Sequence, residues 1–362
     1  MTQTAIPYFF MRGGTSRGPY FNKADLPKDH DKLADVLIAA IGSGHPLNID
    51  GIGGGNAVTT KVAILSRSTL ENCDIDYFFA QVSVEDKTVD FKPTCGNIMA
   101  AVGPAAIEMG LVNAIAPQTA IRIHAVNTGA KITANVLSDG KNVIYDGDHL
   151  IDGVPGTSAP IALNFMEVEG SSTGKFLPTG NLRDVIDGIE VTCMDVAMPM
   201  VIARAQAFGL SGHEDVGALN ENRDFFDKME KIRIQAGALM GMGDVTKSVT
   251  PKFGLLAPAQ NGGTIAARYF MPWSAHPTMA VTGSQCLAAC ALTAGSVADD
   301  MLNRPSTAPA TIILEHPMGV MDVIMDWEND DKFSLKSAGL IRSARKIAQG
   351  TLFIPKSIWD GQ

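Results

Sequence analysis

The stretch Asn97-Ile-Met-Ala-Ala-Val-Gly-Pro-Ala-Ala-Ile-Glu-Met-Gly110 is apolar on nearly every side of a helix and stops at a glycine suited to a C-terminal cap. A helix with no face for water must be enclosed by other elements. Gly283-Ser-Gln-Cys-Leu-Ala-Ala-Cys-Ala-Leu-Thr-Ala-Gly295 repeats the character: small, apolar and again closed by glycine. Each half of the chain thus holds one helix narrow enough to thread a strongly curved sheet.

Around these helices the chain alternates in short apolar runs bounded by Gly, Asn or Asp. Strands are predicted at 5–10, 61–66, 76–84, 120–125, 131–137 and 142–146, then at 189–194, 198–204, 252–257, 263–270, 310–314 and 320–325, with a last one at 351–355. Ordinary amphipathic helices are predicted at 31–42 and 222–241. The expected fold class is therefore α+β: two pseudo-repeated domains, each a curved, barrel-like sheet around a central helix. The turn-rich Leu177-Pro-Thr-Gly-Asn181, followed by a fresh strand at Ile189, sets the expected domains at 1–186 and 187–337.

Composition narrows the function classes. The 362 residues are 46% hydrophobic and 19% charged, which supports two sizeable cores and excludes a disordered chain. A net charge of -9 lacks the basic footprint of a nucleic-acid binder, so an anionic ligand must be drawn by a local site. No apolar stretch reaches membrane-spanning length and no secretory leader is read at the start, so the expectation is a cytoplasmic protein with no membrane partner. Five cysteines, odd in number, are expected as thiols. Seven histidines lack the spacing of a zinc site, and neither a metal nor an organic cofactor is expected.

Chemistry-bearing residues gather at a few places. Thr94-Cys95-Gly96-Asn97 opens the first enclosed helix, where free N–H groups and the positive end of the dipole favour an anion and an activated thiol. Ala280-Val-Thr-Gly-Ser284 holds the matching position before the second, offering Thr282, Gly283 and Ser284. Lys61 opens an apolar strand rather than a charged stretch, which suits its amine to proton abstraction. Arg12, Thr15 and Ser16, within Met11-Arg-Gly-Gly-Thr-Ser-Arg-Gly18, form a candidate carboxylate cradle. Arg268 and His276 flank a second one. Ile49-Asp-Gly-Ile-Gly-Gly-Gly-Asn56 fails the dinucleotide fingerprint at its last position, and Thr59-Thr60-Lys61 fails the P-loop. Asn56 and Thr60 join the candidate substrate contacts. Each feature also has a plainer reading: a buried cysteine, an N-cap, a lysine at a strand end, a tight turn, a structural histidine.

The motifs Met-Arg-Gly-Gly-Thr-Ser-Arg-Gly (11–18), Ile-Asp-Gly-Ile-Gly-Gly (49–54), Thr-Lys-Val-Ala-Ile (60–64) and Cys-Gly-Asn (95–97) resemble the PrpF family. The likeness runs on through Ile-Asp-Gly-Val-Pro-Gly-Thr (151–157), Leu-Pro-Thr-Gly-Asn (177–181), Asn-Gly-Gly-Thr (261–264) and Glu-His-Pro-Met-Gly (315–319), covering essentially the whole chain.

The resemblance implies a diaminopimelate-epimerase-like fold, an active site between the domains at the two helix N-termini, and a C-terminal segment of about 338–362 that returns to the first domain. It gives Lys61 the role of general base and Cys95 that of acid or hydrogen-bond donor. Gly96, Asn97, Gly283 and Ser284 are expected to hold developing charge through their N–H groups. The second cysteine of the two-base epimerases corresponds to about Val281, so racemisation is not expected. The implied activity is a cofactor-independent isomerase or tautomerase shifting a proton in an unsaturated polycarboxylate. The wording of 11–21 and 76–82 favours 4-oxalomesaconate, in bacterial gallate or protocatechuate breakdown; a 2-methylaconitate or related tricarboxylate isomerase and a catalytically silent polycarboxylate-binding protein are the alternatives. The expected partner is the small polycarboxylate, not nucleic acid, and a homodimer stays open.

Overall fold

The computed structural model describes residues 2–151, 153–329 and 333–361. In chain order the elements are β1 (Gln3–Gly13), β2 (Ser16–Asn22), α1 (His30–Ile41), β3 (Lys61–Arg67), β4 (Ile75–Val82), β5 (Val89–Asp90), α2 (Gly96–Met99), α3 (Val102–Glu108), β6 (Gln118–Ala125), β7 (Ala130–Leu137) and β8 (Ile161–Met166). Next come β9 (Asp184–Ile186), β10 (Ile189–Asp195), β11 (Pro199–Arg204), α4 (Val216–Glu221), α5 (Arg223–Leu239), β12 (Lys252–Ala257), β13 (Ile265–Phe270), α6 (Val281–Leu292), β14 (Ala310–His316), β15 (Gly319–Asn329), β16 (Phe333–Arg342) and β17 (Ala344–Pro355). The class is α+β.

Two compact units form, residues 1–165 with 341–362, and residues 166–340. The first boundary lies about twenty residues before the expected 186. The reason is local: buried Asp195 on β10 accepts hydrogen bonds from the backbone of Ser172 and Thr173 at 2.8 and 2.7 Å and from the Ser171 hydroxyl at 2.8 Å, so the 166–186 segment folds with the second unit. The C-terminal strand β17 pairs with β1 along its length, Gln3 opposite Pro355 and Gly13 opposite Ala344.

Strand pairing repeats between the units. In the first, β1–β2 is antiparallel, β2–β3 parallel, β3–β4 antiparallel, β4–β6 parallel and β6–β7 antiparallel. In the second, β10–β11, β11–β12, β12–β13, β13–β14 and β14–β15 show the same alternation. The parallel steps are bridged by helices at equivalent places, α1 matching α4–α5, and α2–α3 matching α6. Along β3, Val62 and Ile64 pack into a core with Val36, Leu37 and Ala40 of α1. Along β12, Phe253 and Leu255 pack into a core with Met229, Ile232 and Ala236 of α5. Strand alternation turns the intervening residues toward the enclosed helices.

Those helices are as apolar as their environment demands. Every residue of α6 from Gly283 to Leu292 is buried, against β10, β11, β13, β14 and β15. Burying each of its leucines is worth about 2 kcal/mol, so the helix is held by its surroundings rather than by propensity. The first enclosed helix is not continuous. It breaks at Ala100–Ala101, because Pro104 supplies no N–H for the Ala100 carbonyl and its ring crowds that carbonyl. Gly103 permits the close approach of α3 to β7: a Cβ there would lie 2.8 Å from a Val136 methyl.

Elsewhere the differences from expectation are short. The strand expected at 142–146 is a turn, in which Asp139 accepts the amides of Lys141 and Asn142, leaving one bridge from Val143 to Ser138. The strands β2, β5, β8, β9 and β16 go beyond the sequence expectation. β2 carries Gly18 and Pro19, residues that read as turn signals but are accommodated where the strand meets β3.

Candidate active site

The glycines of 11–18 decide the geometry of the first unit. Gly13 and Gly14, in the β1–β2 turn, lie so near the backbone and side chain of Asn97 that a Cβ at either would collide with them. Gly18 stands the same way against the Lys61 carbonyl. One glycine-rich hairpin thus clamps the start of β3 and the first turn of α2 together, which proximity in sequence does not do.

The clamp brings Lys61 to Cys95. Lys61 is on the inward face of β3, and its Nζ donates to Cys95 Sγ at 3.2 Å. Cys95 is the N-cap residue of α2, with extended backbone (φ -136°, ψ 109°) and no side-chain cap, so the first-turn N–H groups of Gly96 and Asn97 have no partner within the helix. Both Lys61 and Cys95 are partly buried. Lysine, thiol and free amides therefore converge on one point.

Two buried tyrosines hold this turn from behind. Tyr20 Oη donates to the Ile98 carbonyl at 2.5 Å, and Tyr77 Oη to the Cys95 carbonyl at 3.4 Å. Burial pushes both phenols well above their ordinary pKa, with Cys95 adding to it, so both remain protonated donors. Neither was singled out from sequence: Tyr20 lies in a strand the sequence did not predict, and alternation in β4 marks Tyr77 only as core.

The remaining first-unit candidates divide. Ser16 is 3% exposed, and its hydroxyl has no hydrogen-bond partner. Thr15 is exposed, its N–H donating to Asn97 Oδ1 at 3.4 Å. Arg12 donates to the carbonyls of Gly14 and Ser343 at 2.9 and 3.1 Å and to the hydroxyls of Ser343 and Ser158 at 3.1 and 3.2 Å; burial, then Arg345, lowers its pKa. Asn56 and Thr60 are engaged within the fold. Asn56 caps a short 3-10 turn by accepting from the Val58 N–H at 3.1 Å, and the fully buried Thr60 hydroxyl donates to the Val82 carbonyl at 2.7 Å.

In the second unit α6 begins after Ala280, again without a side-chain cap. Thr282 is exposed and Gly283 is bare because the Tyr269 ring lies against it, 2.6 Å from where a Cβ would be. Two sequence expectations change here. The Ser284 N–H is not free, since it donates to Ala280 O at 2.9 Å, and its buried hydroxyl donates to Val281 O at 2.8 Å. Arg268, 5% exposed, donates to the carbonyls of Glu214 and Ala267, both at 2.9 Å, which makes it a fastener of β13. His276 is partly buried, Nδ1 accepting from the Thr278 N–H at 3.0 Å, and burial lowers its pKa. Among the described residues no group of three or more His, Cys, Asp or Glu is arranged to hold a metal, and no helix is long and apolar enough to cross a membrane.

Residues 3–355 match the family described as PrpF protein. The (4E)-oxalomesaconate Delta-isomerase of Novosphingobium sp. (strain KA1) is 44% identical over 350 residues, covering 97% of this chain and 98% of that protein. The 4-oxalomesaconate tautomerase of Pseudomonas putida is 41% identical over 361 residues, covering 100% and 99%. A crystal structure of methylitaconate-delta-isomerase superposes with a TM-score of 0.91 at 34% identity, covering 99% of this chain and 97% of that one. This chain belongs to the PrpF family, and it is an isomerase.

Proposed function

We propose that this isomerase shifts a proton in 4-oxalomesaconate, an unsaturated keto-tricarboxylate, with Lys61 as base and Cys95 as its proton-transfer partner. The observation that carries the reading is the 3.2 Å contact between Lys61 Nζ and Cys95 Sγ beside the uncapped start of α2. The substrate assignment leans on the relatives at 44% and 41% identity that are named for it.

In the proposed cycle Lys61 removes a proton from a carbon alpha or vinylogous to the carbonyl, and the C–H electron pair moves through the π system to oxygen. The free amides of Gly96 and Asn97 stabilise the resulting dienolate as its charge develops. Collapse of the dienolate forms a C–H bond at the other end of the allylic system, the proton coming from the Cys95 thiol. The ammonium of Lys61 then returns its proton to the thiolate across their direct contact, which restores both groups without an external acid or base. The setting is cytoplasmic breakdown of gallate or protocatechuate.

The test is proton NMR in deuterium oxide with 4-oxalomesaconate and, separately, 2-methylaconitate. Deuterium entering 4-oxalomesaconate with turnover at least about tenfold faster supports the reading. Faster turnover of 2-methylaconitate assigns the site to that tricarboxylate instead, and binding without exchange of either substrate identifies a catalytically silent protein.

A further inference from the structure

One peptide at the tip of the β1–β2 hairpin is held from both of its polar ends. Its carbonyl, on Gly14, accepts from Arg12 Nη1 at 2.9 Å, and its N–H, on Thr15, donates to Asn97 Oδ1 at 3.4 Å. A peptide is planar and rigid, so a rotation that breaks one of these bonds also breaks the other. Gly14 holds a left-handed backbone (φ 52°) and packs against the Asn97 side chain, in a space no Cβ could share.

Arg12 fastens this peptide to a buried base. The same Nη1 donates to the backbone carbonyl and the hydroxyl of Ser343, both at 3.1 Å, and Nη2 donates to the Ser158 hydroxyl at 3.2 Å. Ser343, 1% exposed, joins β16 to β17, and its carbonyl also accepts the Gly14 N–H at 2.9 Å. Each of these partners is an uncharged oxygen. Among the described residues no carboxylate pairs with Arg12, and the residues opposite it on β17 and β2 are Arg345 and Arg17. The planar fork of a guanidinium spans Gly14, Ser343 and Ser158 together, which the single point of an ammonium cannot.

At the other end of this chain of bonds, Asn97 stands two residues after Cys95, in the turn that Tyr20 and Tyr77 hold from behind. Gly18, farther along the same hairpin, lies against the Lys61 carbonyl. One hairpin therefore locates both the lysine and the thiol, and Arg12 ties down its tip.

We infer that Arg12 is a positioning residue, which acts through the Gly14–Thr15 peptide and Asn97 to set the Cys95 turn against Lys61 without touching substrate. The inference rests on the reading of Lys61 and Cys95 as the proton-transfer pair. The rival role is a direct carboxylate contact, which the uncompensated charge of Arg12 would suit.

Steady-state turnover of 4-oxalomesaconate by folded variants of the full chain separates the two roles. Arg12→Met is expected to lower kcat about tenfold or more and to leave KM within about threefold, because a misplacement of about 1 Å acts on the barrier rather than on binding. Arg12→Lys keeps the charge and one donor, and its kcat is expected to lie between Arg12→Met and the unaltered enzyme. Asn97→Ala removes the far end of the same chain of bonds. Added to Arg12→Met, or to Arg12→Lys should the methionine variant not fold, it is expected to cost less than about threefold beyond the worse single variant. A raised KM at full kcat makes Arg12 a carboxylate contact and overturns the inference, as do losses that multiply in the double variant or an unchanged kcat in Arg12→Met. Lys61→Met separates this inference from the reading beneath it. If Lys61→Met is inactive while Arg12→Met keeps full kcat, only the positioning role fails; if Lys61→Met keeps full activity, the isomerase mechanism fails whatever Arg12 does.

Discussion

Lys61 Nζ and Cys95 Sγ lie 3.2 Å apart although 34 residues separate them in the chain. Removing either end of that contact has different expected costs. Lys61→Met deletes the proposed base and is expected to lower kcat by about 10³-fold or more, within the range general-base groups supply. Cys95→Ser keeps a donor of lower acidity and is expected to lower kcat by about 10–100-fold. Single-turnover rates on folded variants check both, and a Cys95→Ser enzyme with full rate leaves the thiol a structural role.

Tyr20→Phe removes the 2.5 Å bond to the Ile98 carbonyl while keeping the ring in its buried slot. That carbonyl still accepts from the Ala101 N–H at 3.1 Å, so the loss is expected to be about 1–2 kcal/mol of stability rather than unfolding. Urea denaturation measures it. The first turn of α2 also loosens, so kcat is expected to fall with little change in KM.

Glycine substitutions separate clamping from mere flexibility. Gly18→Ala drives a methyl into the Lys61 carbonyl and is expected to cost over about 2 kcal/mol together with activity. Gly96→Ala meets nothing within 4 Å and is expected to leave the melting temperature within a degree or two. Any activity lost by Gly96→Ala in that stable background is then steric exclusion at the N–H groups. Thermal melts beside rate assays distinguish the two.

Glu315 gives an acid limb. Burial alone would raise its pKa, but hydrogen bonds from the backbone of Gln260, Gly263 and Asn261 outweigh burial and hold it below its ordinary 4.5. A depressed folded pKa stabilises fully above the unfolded value and is lost as pH falls through the folded one. Stability is therefore expected to decline from about pH 4.5 downward, and Glu315→Gln to be less stable at neutral pH with a flatter acid limb. Chemical denaturation at pH 3.5, 4.5 and 7 checks this, and an unchanged slope in the variant refutes it.

Local patterns made much of this molecule legible. The two enclosed helices announce themselves because a segment without a polar face has one stable environment, and most strands are readable from period-two alternation between turn residues. The single break, at Ala100–Ala101, was also written in Pro104, whose effect falls one turn earlier than the residue itself. Lys61 and Cys95 were readable as candidates from their local positions. Arg268 was not readable as structural, because a charged residue on a fully buried strand is explained only by the carbonyls it reaches.

By itself the sequence determined the α+β class, the pair of enclosed helices and the residue types able to move a proton, since these depend on periodicity and on chemistry carried by single residues. Only the tertiary structure decided that Gly18 clamps Lys61, that Gly14 clamps Asn97 and that two tyrosines grip the α2 turn. Those relations join residues far apart in the chain through strand register and close packing, and neither quantity has a local signature in the letters.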